Sequence, residues 1–157
     1  MTLSHIDSRG RAQMVDVAGK PETERTAIAR AAVLMSRETL TAARAGDLKK
    51  GDLRATAELA GVMAAKRTAE LIPLCHPIPL THVDVELEFS DDLPGVQITA
   101  SVRTVARTGV EMEALTAASV AALTVYDMIK GLERGARISD LRLVEKHGGS
   151  SGDYVAE

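Results

Sequence analysis

Thr81–Phe89 reads THVDVELEF, Asp91–Gly95 reads DDLPG, and Val96–Val105 reads VQITASVRTV. Apolar and polar residues alternate on both sides of a Pro-Gly turn. That pattern predicts an antiparallel hairpin whose two strands are each half-buried. Downstream, Thr108-Gly109-Val110-Glu111 has the S/T-x-x-E form of a capping box and predicts a long helix to about Glu133. Ala136–Val144 follows as a last strand. Upstream, Asp52 is placed to cap a helix from Leu53 to about Glu70, ended by Pro73. Ser36–Ala45 reads as a shorter helix, with Ser36 as N-cap and Gly46 as its stop. The alanines of Thr26–Met35 favour helix, whereas its bounding residues suit a short strand. The strand reading is adopted because it completes a βαββαβ order, the ferredoxin-like α+β arrangement. It predicts an antiparallel sheet with helices packed on one face, plus an extra short helix. Gln13–Val17 is expected as a further short strand.

The chain of 157 residues fits a single domain, 1–157, with 1–12 and about 147–157 expected as flexible ends. Only 2% of residues are aromatic, so the core must be built from Ala, Val, Leu, Ile and Met. Stacking platforms for single-stranded nucleic acid are then lacking. A net charge of −3 without a long basic run also argues against a nucleic-acid partner. One cysteine excludes an intrachain disulfide. The polar start has no signal-peptide pattern, and no apolar run approaches the roughly 20 residues of a membrane span. The expected compartment is the cytoplasm.

Leu71-Ile72-Pro73-Leu74-Cys75-His76-Pro77-Ile78-Pro79 places three prolines within seven residues around the only cysteine. Proline fixes φ and removes donors, so this loop is stiff, and stiff loops with reactive residue types suit sites. Cys75-His76 is open to several readings: a buried thiol beside a satisfied histidine, a nucleophilic dyad, a metal site, or a small-molecule pocket. Neighbours in an extended loop point apart, which weakens the dyad. No ligand spacing supports a metal.

On the long helix, Ala117, Ala118, Ala121, Ala122, Val125, Met128, Ile129 and Leu132 share an apolar face. Glu113, Thr116, Asp127, Lys130 and Arg134 lie opposite, flanked by Val120 and Leu123. A surface helix would carry more charge there, so a pocket or subunit interface is expected. Asp127 and Lys130 are either an ordinary i, i+3 ion pair or an acid–base pair tuned by burial. Glu111 reads first as the capping-box carboxylate. Lys49-Lys50-Gly51-Asp52 sets amines beside a helix N-terminus, a setting that attracts anions, although a solvated lysine pair explains it too. Lys146-His147-Gly148-Gly149-Ser150-Ser151-Gly152 lacks P-loop spacing.

Taken in order, several motifs form a recognisable set. They are Met14-Val15-Asp16-Val17, Lys50-Gly51-Asp52, Ala64–Thr68, Leu71–Pro77 (LIPLCHP), Thr108–Ala122 (TGVEMEALTAASVAA) and Tyr126-Asp127-Met128. Across essentially the whole chain they resemble the cyclic pyranopterin monophosphate synthase family, the C proteins of molybdenum cofactor biosynthesis. The resemblance implies a ferredoxin-like fold assembled as a homohexamer, a trimer of dimers. It implies a phosphorus–oxygen lyase that turns cyclised dihydro-GTP into cyclic pyranopterin monophosphate and pyrophosphate. By motif it makes Asp127, Lys130 and Lys50 the catalytic candidates. Leu74, Cys75, His76, Glu111, Met112, Glu113, Lys66, Arg67 and Lys146 become substrate-binding candidates. No protein-bound metal is implied, and Mg²⁺ with the triphosphate is the one cofactor candidate. The chain departs from the family tail K-S-G-G-K-S-G at Ser150, which takes the place of the second lysine. The rival readings are a non-catalytic ferredoxin-like nucleotide-binding regulatory module, and a thiol or metal enzyme on Cys75-His76.

Overall fold

The computed structural model describes residues 4–156. The elements in chain order are β1 (Thr23–Leu34), α1 (Arg37–Ala45), α2 (Leu53–Lys66), α3 (Thr68–Leu71), β2 (His82–Ser90), β3 (Gly95–Ala106), α4 (Glu111–Ile129), β4 (Arg137–His147) and β5 (Tyr154–Val155). The strands form one sheet in the order β2-β3-β1-β4-β5, antiparallel at every pairing. Its first four strands carry the ferredoxin-like order.

Thr26–Met35 forms most of β1, the central strand, paired with β3 on one side and β4 on the other. Alanine is a weak strand former, but this position overrides its preference. Ala27, Ala29, Ala31 and Val33 alternate onto one face and are almost fully buried. They join Val96, Ile98, Ala100 and Val102 of β3 and Ala114, Ala117, Ala118, Ala121 and Ala122 of α4 in a single core. Helix α2 packs across α4 and β2. Gly61 makes that approach possible: a Cβ there would lie 3.0 Å from the Val85 methyls and 3.1 Å from the Ala117 carbonyl.

Both short-range caps read from the sequence are present. Ser36 Oγ accepts from the Thr39 N–H, and Asp52 Oδ1 accepts from the Ala55 N–H. Gly46 closes α1 at φ 79°.

Five expectations are corrected. The 53–70 helix breaks at Arg67 into α2 and the single turn α3. The capping box does not form: α4 begins at Glu111 and its N-cap is Val110, whose side chain has no acceptor. The carboxylate of Glu111 instead folds over Gly109, within 2.1 Å of where a Cβ would stand. α4 ends at Ile129, short of Glu133, so Leu132 leaves the apolar face and is exposed. Gln13–Val17 has no regular structure and pairs with no strand, and the one bridge nearby joins Ile6 to Ala12. Finally, the glycine-rich tail turns back at Gly148 and Gly149, both at positive φ, and β5 pairs with the end of β4.

α4 is the one helix among the described residues long and apolar enough to cross a membrane, which corrects the expectation that no apolar run approaches that length. Of its apolar window, 56% is buried inside the domain, as the layer lying on the sheet.

Candidate functional site

The two ends of α4 carry two separate clusters. At its N-terminal end a cavity of about 300 Å³ is lined by Leu74, Cys75 and His76 from the proline loop, and by Glu111, Met112 and Glu113 from the first helical turn. Those six were expected from the sequence. Ser4, His5, Val15, Val17 and Lys20 complete one wall, and Thr108-Gly109 the rim. The wall from the N-terminal arm was missed, because nothing in its polar, irregular sequence signals where it lies.

Glu113 lies on the helix face expected to meet a pocket or subunit interface, and only 5% of it is exposed, with Thr116 buried one turn on. Its pKa is raised to about 7: burial raises it most, a hydrogen bond from its own backbone N–H lowers it, and the nearby Glu111 charge raises it. A carboxyl group at that value exchanges its proton near neutrality. Burial also raises the Cys75 thiol, and Glu113 adds to this, so the sulfur stays protonated. A protonated thiol is a poor nucleophile. His76 Nε2–H donates to the Val15 carbonyl at 2.6 Å. A second cavity of about 290 Å³ shares His76 and Glu113 as its wall and adds Lys66, Thr68 and Glu70.

At the C-terminal end of α4, Asp127 is gripped by two amines. Lys50 Nζ donates to Asp127 Oδ2 at 2.6 Å and to its backbone carbonyl at 3.0 Å. Lys130 Nζ lies 2.7 Å from Oδ1. The three side chains are about half exposed. Hydrogen bonds from Lys130 and Lys50 hold the Asp127 pKa down to about 2, and Asp127 in turn raises that of Lys130. The carboxylate thus decides the competition between desolvation and charge at Lys130. Asp127 is a fixed anion here, and not a proton acceptor near neutral pH. The Asp127–Lys130 pair read from spacing is therefore real, but in this chain it is not set in a dry pocket.

The remaining candidates stand apart. Arg67 lines an apolar hollow with Met63, Leu71 and Val120. Lys146 turns to the C-terminal turn, where Nζ donates to Ser151 Oγ and, at 2.8 Å, to the Gly152 carbonyl. His147 lies between Glu145 (3.2 Å) and Asp153 (3.3 Å). Among the described residues no three His, Cys, Asp or Glu side chains converge to hold a metal ion.

Residues 14–149 match the model of the MoaC family. The chain belongs to the MoaC family. A curated relative from Methylobacterium sp. (strain 4-46), named cyclic pyranopterin monophosphate synthase, is 59% identical over 99% of this chain and 98% of its own length. Relatives with the same name occur in Nostoc sp. (strain PCC 7120), 60% identical over 97% and 90%, and in Thermomicrobium roseum, 57% identical over 99% and 93%. The MoaC match therefore spans both clusters and the arm from residue 14 onward.

Proposed function

We propose that the chain is a cyclic pyranopterin monophosphate synthase of molybdenum cofactor biosynthesis. It converts cyclised dihydro-GTP, 3',8-cyclo-7,8-dihydroguanosine 5'-triphosphate, into cyclic pyranopterin monophosphate and pyrophosphate. The observation that carries this reading is the division of chemistry along α4: a proton-exchanging carboxyl at one end and two clamped ammonium groups at the other. Rebuilding a purine-derived ring system as a pterin needs proton transfers, which Glu113 and His76 supply. Closing the cyclic phosphate needs a sugar hydroxyl oxygen to bond to the α-phosphorus as the bond to the bridging oxygen breaks. Pyrophosphate then leaves with added charge, and Lys50 and Lys130 neutralise it. Lys66, Arg67 and Lys146 are further amine or guanidinium contacts for the phosphates. Mg²⁺ enters as a counterion of the triphosphate, and the enzyme works in the cytoplasm.

The two clusters join between subunits of a homohexamer. Glu113 and Asp127 are fourteen residues apart on α4, about 21 Å along its axis. Val120 is their midpoint, beside the exposed Leu123, Met63 and Leu71. A two-fold axis there covers the apolar residues and sets one subunit's Asp127 end against its partner's Glu113 end.

The experiment is conversion of the cyclised substrate to product, with subunit mixing as its second arm. Asp127→Ala and Glu113→Gln should each be inactive alone. Mixed in equal amounts and reassembled at random, they should regain about a quarter of the activity, because about half of the dimers are mixed and each mixed dimer keeps one intact site of two. Binding without conversion by the native chain would favour the regulatory-module reading instead.

A further inference from the structure

We propose that the arm Ser4–Lys20 is a strap over the site, and that its Val15 carbonyl is a positioning group for His76. The argument begins with what the arm lacks. None of its residues is buried, and it joins no strand of the sheet. Its first part closes on itself: Ile6 bridges Ala12, and the Asp7 carboxylate accepts from the N–H groups of Arg9 and Arg11 and from the Arg11 guanidinium. Among the described residues, the hydrogen bonds that tie it to the domain come from two side chains, one lining the cavity and one beside its rim. His76 Nε2–H reaches the Val15 carbonyl at 2.6 Å, and Arg107 Nη1 reaches the Ala18 carbonyl at 3.0 Å. Arg107 immediately precedes the Thr108-Gly109 rim. The arm is therefore stitched to the site and not to the core. A segment with exposed hydrogen bonds, whose only apolar cover is the half-buried Val15 and Val17, opens at low free-energy cost.

The stitch has a chemical consequence. A carbonyl only accepts, so the proton of the neutral ring must sit on Nε2. Nδ1 is then an acceptor, and no group among the described residues occupies it. Closing the strap thus selects the tautomer that offers a lone pair to whatever fills the cavity, and opening it lets the ring revert to a mixture. The orientation step rests on the synthase reading; the tautomer does not, since it can be observed with no substrate present.

The test uses the full chain with ¹⁵N in its histidine rings. In long-range ¹H–¹⁵N spectra recorded at alkaline pH, native His76 should be the Nε2–H form. Replacing Gln13–Val17 by a five-residue Gly-Ser spacer should give a tautomer mixture, leave the thermal midpoint in place, and lower kcat about tenfold. An Nδ1–H ring in the native chain overturns the proposal. So does an unchanged tautomer in the spacer variant, or a rise in KM alone. If the spacer variant does not assemble, Arg107→Gln cuts the other stitch. It should show the same tautomer mixing to a smaller degree, and a ring identical to native there also overturns the idea. Loss of conversion by the native chain with the expected tautomer intact would count against the assigned reaction and not against the strap.

Discussion

Glu113 and Asp127 are both carboxylates on α4, about four turns apart, and their protons are held in opposite ways. Glu113 sits in a buried pocket that pushes its pKa up to about 7. Asp127 sits in water between two ammonium groups that hold it down to about 2. The side-chain chemistry is nearly the same, so the difference comes from setting: loss of solvent at one end, opposite charge at the other. Two carboxylates whose environments separate their pKa values can take two roles, here a proton carrier and a fixed counterion.

The sharpest way to break this comparison is at Asp127. If its task is to hold Lys50 and Lys130 in place and charged, Asp127→Ala and Asp127→Asn should both lower single-turnover conversion at least about a hundredfold. The thermal midpoint should scarcely move, because the groups are exposed. Equal turnover in either variant, measured by rapid quench, would reduce the cluster to a surface ion pair.

Next comes Glu113→Gln, expected to cost about 10²-fold or more in rate if proton transfer is its task. The same substitution should stabilise the fold at pH 8. Native Glu113 keeps its proton up to about 7, whereas the unfolded chain gives it up near 4.5. Its contribution is therefore fully present below about 4.5, declines as pH rises towards 7, and is lowest above that. Glu113→Gln has no such decline, so the variant should gain up to about 3 kcal/mol at pH 8 and nothing at pH 4. Urea melts at the two values decide this; an equal difference at both would place the stabilisation elsewhere.

A smaller effect is expected at His147. Asp153 and Glu145 raise its pKa, so its ion pairs are complete below the ordinary 6.5 and are lost as pH rises through the raised value. The Gly148 N–H, which donates to Asp153 Oδ1, should lose exchange protection over that range. His147→Asn should show no such pH-dependent step. Smallest of all, Cys75→Ser should leave turnover within about threefold, since its thiol is held protonated. Complete inactivation would return the thiol enzyme to consideration.

Much of the fold was legible because its signals are local. The alternation of THVDVELEF and the Ser36 and Asp52 caps depend on residues a few positions apart. β1 was legible only through the topology it completes, since its alanines suit helix equally well. β5 was hidden because two residues pairing with a strand end leave no periodic pattern. At the site, motif resemblance named the residues but not their states. Glu113 is buried beside the two cavities that the proline loop lines, and Asp127 stays exposed in this chain despite Val120 and Leu123 nearby. The Thr108 capping box failed because Glu111 bends back over Gly109, a contact that residue spacing cannot foretell.

The alanine-on-alanine layer between β1 and α4 has one more consequence. Long core side chains absorb a change of volume by switching rotamer, but a methyl group has none to switch. Any enlargement at Ala29 or Ala118 must therefore move the helix as a whole, like a beam lifted off its bearing. Both clusters ride on that beam, one at each end, so a single core substitution would tilt them together. Mutational drift in this enzyme should thus be narrowest where no residue touches the substrate at all.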